Sequence, residues 1–169
     1  MDALDSRILK LLRENARMSY SEIGRRINLT IPSVAARVRK MEERGLIRGY
    51  TVNIDPGKAS MGLLAITLVT LESPRFIPQF TSTVMSAPEV LECHHTTGDS
   101  DYMLKVAVAD VAALERFLSE LLKDIEGVRT TRTMVVLSTV KDTFGVDPPD
   151  DCAQPAQRKA AENVAGVRS

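Results

Sequence analysis

From Leu4 the apolar residues Leu4, Ile8, Leu11 and Leu12 recur at i, i+4, i+7 and i+8, the stripe of an amphipathic helix. The run "SYSE" at Ser19 to Glu22 has the form of a capping box, so a second helix starts there with Tyr20, Ile23 and Ile27 facing inward. Asn28 and Leu29 interrupt it. Thr30 is placed to cap a third helix, and Pro32 fits its first turn because the amide it lacks would be unpaired there anyway. The third helix runs to about Arg44, with Gly45 as a left-handed stop. Val34, Val38 and Met41 form its inward side; at 100° per residue the opposite side carries Pro32, Ala36, Arg39, Lys40 and Glu43, flanked by Ser33 and Arg37.

After Gly45, "LIRGYTVNI" alternates well enough for a short strand, the wing of a winged helix-turn-helix. "DPGKASMG" then breaks all periodicity and marks a boundary. Beyond it "LLAITLVTL" reads as a strand, and residues 74–86 as a helix with Phe76, Ile77, Phe80 and Val84 at helical spacing. "VLECHHTTG" and "DYMLKVAVA" are two strands joined at residues 98–101. "DVAALERFLSELLKDIEG" is an amphipathic helix capped by Asp110 and stopped by Gly127, and "VRTTRTMVVLSTV" is a last strand rich in β-branched residues. The order β-α-β-β-α-β predicts an α+β ferredoxin-like domain: an antiparallel sheet with both helices on one face, whose other face a second copy of the domain would most simply cover. The divisions are residues 1–52 for the helix-turn-helix domain, 53–62 for a linker, 63–145 for the ferredoxin-like domain, and 146–169 for a polar tail with at most a frayed helix near residues 156–164.

Composition adds one decisive point. The 169 residues carry no net charge, but the 55 up to Asp55 hold 11 Lys and Arg against 7 Asp and Glu, while the remainder holds 11 against 15. A basic front and an acidic back predict that only the front meets a polyanion. Cys93 and Cys152 lie far apart without the spacing of a disulfide framework or a zinc knuckle. The N-terminus lacks an apolar signal region and no apolar run reaches the roughly 18 residues of a membrane span, so the expected address is the cytoplasm.

Three helices with a short turn before the third fit a helix-turn-helix, whose last helix enters the major groove of double-stranded DNA. Small residues near its start let the backbone come close, and Arg or Lys supplies base and phosphate contacts. Thr30, Pro32, Ser33, Ala36, Arg37, Arg39 and Lys40 are therefore the candidate DNA-binding residues. A plain three-helix bundle with a solvated basic side is the alternative that charge alone leaves open.

The pattern as a whole resembles the feast/famine regulators, the Lrp/AsnC family of prokaryotic transcription factors. The residues that carry the likeness include Leu4, Asp5, Ile8, Leu9, Arg17, Glu22, Ile23 and Leu29, then Val34, Arg37, Met41, Glu42, Gly45 and Ile47. "TTGDSDYMLKV" matches the Thr-Gly-x-x-Asp hairpin of the family's effector-binding and oligomerising domain, and the likeness extends to about residue 145. It implies a nucleoid-associated homodimer, assembling into higher oligomers such as octamers, tuned by an amino-acid effector. Thr97, Gly98, Asp99, Ser100, Asp101 and Tyr102 become candidate effector-binding residues, although Gly, Asp and Ser are also what a tight hairpin needs.

"ECHH" at Glu92 to His95 places Cys93 and His95 on one face of a strand and Glu92 and His94 on the other, too few per face for a closed metal site. Neither a metal nor another cofactor is expected, and no catalytic constellation stands out. Two rival functions remain: an architectural DNA-binding protein indifferent to effectors, and a small ferredoxin-like enzyme with a helical appendage.

Overall fold

The computed structural model describes residues 1–142 and Pro148. The tail read over residues 146–169, with Cys152 and the frayed helix, lies outside this range apart from Pro148. The described chain forms two compact units, one ending at Thr51 and the other spanning Val52–Asp142.

The first unit is three helices: α1 (Ala3–Glu14), α2 (Tyr20–Ile27) and α3 (Ile31–Glu43). Their core is a single cluster of Ile8, Leu12, Met18, Ile23, Ile27, Val34, Val38 and Met41, the expected stripes of all three helices. Tyr20 departs from expectation and is 38% exposed. It is the first residue of α2, one turn short of the positions that Ile23 and Ile27 occupy in the cluster. Ser19 caps α2 by accepting from the Glu22 amide, but the Glu22 carboxylate turns outward to Arg26 at 2.9 Å. Asn28 takes the left-handed conformation that ends α2, and Leu29 N–H then donates to the Gly24 carbonyl. Gly24 is buried at this turn, where a Cβ would collide with the Leu29 carbonyl oxygen. α3 closes with a Schellman pair of bonds, Leu46 N–H to Met41 O and Gly45 N–H to Glu42 O, with Gly45 at φ +68°.

The wing strand is a correction. Residues 46–54 form no strand, and the alternating Tyr50, Val52 and Ile54 all lie exposed, Val52 at 79%. Alternation marks a segment able to pair, but a strand also needs a neighbour to take its amides and carbonyls, and the described residues of the first unit contain no other strand. What holds the start of this segment is a side chain: the Tyr50 hydroxyl donates to Glu42 Oε1 at 2.9 Å, and partial desolvation of the hydroxyl together with that carboxylate pushes its pKa up to about 12.

The second unit contains β1 (Leu63–Leu71), a short 3₁₀ turn at Pro74–Phe76 leading into α4 (Ile77–Ser86), β2 (Val90–His95), β3 (Tyr102–Val108), α5 (Val111–Arg116) and β4 (Val128–Val135). α5 continues through a π-helical stretch, Phe117–Leu122, with Lys123 N–H bonded back to Leu118 O. The strands pair antiparallel in the order β2-β3-β1-β4, the ferredoxin-like topology. Directly opposed residues share a face, so Thr67 of β1, Leu104 of β3 and Thr133 of β4 line up on the helix side, the two threonine hydroxyls 3.1 Å apart. Ala65, Val69, Leu104 and Val106 pack there against Phe80 and Val84 of α4 and against Leu114, Phe117 and Leu122. Gly127 ends the helical stretch at φ +87°, pressed against the Phe76 ring.

Replacing Gly24 by Ala is expected to destabilise the first unit by about 1–3 kcal/mol, because the new methyl group meets a backbone oxygen that the Leu29–Gly24 bond holds in place. Chemical denaturation of the full chain measures it. An unchanged midpoint would mean that the turn has slack.

Candidate DNA-binding helix and effector-binding hairpin

α3 buries Val34, Val38 and Met41 and leaves Pro32, Ala36, Arg39 and Lys40 exposed, with Ser33 half-buried beside them. Thr30 holds the N-cap backbone position, but its hydroxyl makes no capping bond, and it stands exposed at the start of the helix. The first amides of α3 and the Thr30 hydroxyl are thus grouped at one end of the helix, the end at which a helix attracts phosphate.

Arg37 is placed differently. Its Nη1 donates to Asp2 Oδ2 at 2.6 Å and to Asp5 Oδ1 at 2.7 Å, and its side chain is only 29% exposed. Asp2 and Asp5 themselves form a reciprocal capping box: the Asp5 amide donates to Asp2 Oδ1, and the Asp2 amide to Asp5 Oδ2. Arg37 therefore clamps the start of α1 to the middle of α3. The hydrogen bond from Arg37 holds the Asp2 carboxyl below its ordinary pKa, and both aspartates raise that of Arg37. The sequence contains a usable signal for this clamp, an acidic residue at the cap and another three positions on, at Asp2 and Asp5. Gly24, a lone glycine inside a helical pattern, signals the close turn in the same way.

The hairpin between β2 and β3 is tied to β1 on several sides. Asp101 N–H donates to Val69 O, Thr96 N–H to Asp101 O, the Thr96 hydroxyl to Ser100 O and the Thr70 hydroxyl to Asp99 O. The Asp101 carboxylate accepts from Leu71 N–H at 2.7 Å, where the β1–β4 register shifts. Gly98 has φ +120° and stands in open space, so the turn demands its backbone freedom and no neighbour crowds it. Thr97, Gly98 and Asp99 are exposed, while Ser100 and Asp101 are half-buried. Tyr102 belongs to the core instead: it is 5% exposed, its ring 4.7 Å from Phe80 and 4.9 Å from His95, and burial raises its pKa. The exposed and half-exposed part of the hairpin is therefore residues 97–101, with Tyr102 as its footing.

β2 separates Cys93 and His95 from Glu92 and His94 as the alternation predicts. Glu92 pairs with His94 at 3.1 Å and with Lys105 at 3.0 Å, contacts that lower its pKa.

Two family profiles match the chain, the AsnC-type helix-turn-helix domain over residues 1–42 and the Lrp/AsnC ligand binding domain over residues 64–146. The leucine-responsive regulatory protein of Escherichia coli K12 is 37% identical over 145 residues, 85% of this chain and 88% of the relative. The chain belongs to the Lrp/AsnC family of transcription regulators. Solved structures agree. A transcriptional regulator of Neisseria meningitidis in complex with L-methionine superposes with a TM-score of 0.83 at 29% identity, covering 88% of this chain and 96% of that one. AsnC of Escherichia coli gives 0.82 at 27% identity, covering 88% and 99%. The protein is thus a DNA-binding transcription regulator with a separate ligand-binding domain, not an enzyme.

The Arg37 clamp sets a testable pH dependence. A carboxyl whose folded pKa is depressed adds stability above its unfolded pKa and loses it as the pH falls through the folded one. The stability advantage of the native chain over Arg37→Gln is expected to be present at neutral pH and to shrink on acidification below the carboxylate range. Because the pair is partly exposed, the advantage is about 1 kcal/mol or less. Thermal melts of both proteins from pH 7 to pH 3 measure it, and curves that stay parallel would remove the clamp from the stability of this unit.

Proposed function

We propose that the chain works as a homodimer, or an assembly of dimers reaching octamers, that reads near-palindromic operators in the cytoplasmic nucleoid and responds to a free amino acid. The exposed side of α3 carries the reading: with Val34, Val38 and Met41 buried, Pro32, Ala36, Arg39 and Lys40, with Thr30 and Ser33 beside them, are the outward groups suited to enter a major groove. Arg39 and Lys40 supply the reach. Arg37 lies at the flank, where its first task is to hold α1 against the recognition helix, so its contribution to DNA binding is largely one of positioning.

Dimerisation is supported by the sheet face away from the helices. Leu64, Ile66 and Leu68 of β1, Met103 of β3 and Met134 of β4 share that face, outside the cluster that the helices cover. An antiparallel sheet in water alternates polar with apolar residues; β1 instead carries Leu64, Ile66 and Leu68 on this face as well, with Lys105 and Arg132 beside them. The effector reading rests on the hairpin of residues 97–101 and on the relatives, one named for its response to leucine and another solved with L-methionine. Thr97, Asp99 and Ser100 offer hydroxyl, carboxylate and backbone groups to an ammonium and a carboxylate, with Asp101 and Tyr102 fixing the turn. Effector and DNA then communicate through subunit arrangement, because a ligand shifts only those equilibria whose states it binds differently.

Arg39→Ala and Lys40→Ala are each expected to weaken operator binding and to reduce the slope of log affinity against log salt by about 0.9. Footprints should show two half-sites about 34 Å apart or a multiple of that. Unchanged affinity and slope in both variants would take α3 off the DNA, and a single unpaired footprint would argue against the dimer. Gly98→Ala forces a side chain into φ +120° and is expected to abolish or shift the amino-acid response while leaving low-salt DNA binding intact. Operator titrations with and without saturating L-leucine and L-methionine test this. A full response in the variant would leave the hairpin as a turn, and a native protein that ignores every amino acid would be an architectural DNA-binding protein.

A further inference from the structure

A cavity of about 370 Å³ opens at the far end of β3 from the hairpin, between the segment before β2 and the α5 stretch with its π-helical turn. The seven residues of β3 separate it from the hairpin by roughly 20 Å. Its apolar wall is formed by Val108, Ala113, Phe117 and Leu121. Three charges lie at its edge, Glu89, Arg116 and Glu120, of which the last two stand one helical turn apart on the same stretch.

Glu89 is the unusual member. Its backbone is pinned, its carbonyl accepting from Ala107 N–H at 2.8 Å, and its Oε2 is shut off from solvent without a hydrogen-bond partner. A carboxylate with one oxygen enclosed and without a donor is under-compensated, and a cation arriving at the cavity edge beside the group restores the balance. The second feature is backbone geometry. Phe117, Glu120 and Leu121 all come from the π-helical stretch, a conformation rare in helices and frequent where helices line binding sites. The third is charge: two carboxylates against one guanidinium leave the lining net negative, with an apolar floor of the size that small ligands occupy.

We propose that this cavity is a second small-molecule site, distinct from the hairpin, that takes a primary ammonium group on a short aliphatic body. Glu89 is the counter-ion of the ammonium, and the aliphatic part lies against Val108, Phe117 and Leu121. Both simple alkylamines and free aliphatic amino acids carry this group; Arg116 separates them, since only the latter offer it a carboxylate. The site does not depend on the reading of residues 97–101.

Calorimetric titration of the full chain with 3-methylbutylamine and with L-leucine tests it, in the native protein and in Glu89→Gln, Ala113→Phe, Arg116→Gln and Gly98→Ala. Glu89→Gln keeps the shape and removes the charge, and is expected to weaken ammonium binding about tenfold or more. Ala113→Phe fills the cavity and should abolish binding, Arg116→Gln should weaken L-leucine alone, and Gly98→Ala should leave the amine unaffected. Amide chemical-shift changes on adding the amine should centre on Glu89, Ala109, Ala113 and Phe117 and spare residues 97–101, a readout that needs no variant to fold. Amine binding unaltered by Glu89→Gln, shifts confined to the hairpin, or no binding of either ligand to the native protein would each overturn the proposal. Binding of L-leucine alone, lost in Glu89→Gln and Arg116→Gln, would support it and make the ligand an amino acid.

Discussion

The constraint on which the ligand-binding domain depends is that its central strand β1 is apolar on both faces, while the helices of the described residues cover only one. In the order β2-β3-β1-β4 the two central strands are β3 and β1, and the helices cover the side of β1 that carries Ala65, Thr67, Val69 and Leu71. The alternate residues Leu64, Ile66 and Leu68 must point the other way, because the side-chain period of a strand is two. A slip by one residue would exchange these sets, so the register of β1 is pinned by the requirement to bury the first. At about 25 cal/mol per Å² of apolar area, leaving the second set in water forgoes several kcal/mol. Proteins that maintain such a face across a whole strand keep it for association.

The helical unit solves a different problem with much less material. Eight side chains form its core, and a domain of this size is marginal. Backbone devices make up part of the difference: a reciprocal cap on α1, a serine cap on α2, a left-handed asparagine between α2 and α3, and a Schellman stop after α3. Each of these contributes on the order of 1 kcal/mol by giving orphan amides or carbonyls a partner. The tight turn at Gly24 then sets where α3 lies relative to α2, and so which of its side chains face outward. Orientation of the recognition helix is in this sense a property of a glycine and an asparagine that touch no nucleic acid in any reading of the sequence.

Most of the architecture was legible in the sequence because it is periodic. The stripes of Ile8 and Leu12, of Val34, Val38 and Met41, and of Phe80 and Val84 are the buried ones, and the β-α-β-β-α-β order gave the topology. The misses have separate causes. The strand expected after Gly45 has the alternation of a strand but no partner among the described residues of its unit, and pairing is a property of two segments. The spacing of Tyr20 with Ile23 and Ile27 points it inward, yet its place at the first position of α2 leaves it partly in water. The continuation of α5 as a π-helical stretch has no sequence signature, since its apolar spacing serves either helix. Nor could any pattern show that Glu89 is shut away beside a cavity.

Charge was the least legible property, and Arg37 and Asp101 show why. Each stands in a segment whose charges read as facing a partner, and each is engaged within its own unit, Arg37 by Asp2 and Asp5 and Asp101 by Leu71 N–H. Such contacts at 2.6 to 2.7 Å are short-range and involve residues some thirty positions apart, so sequence spacing does not reveal them. They also restrict what the remaining groups can do. With Arg37 held, the exposed cations left on α3 are Arg39 and Lys40. With one Asp101 oxygen holding the end of β1, a ligand that competed for that oxygen would leave the Leu71 amide without its partner at the point where the β1–β4 register shifts. An unsatisfied donor of that kind costs about 1–3 kcal/mol. Breaking the Asp101 bond is therefore costly, and the ligand contacts proposed for Thr97, Asp99 and Ser100 leave it, and the sheet behind it, intact.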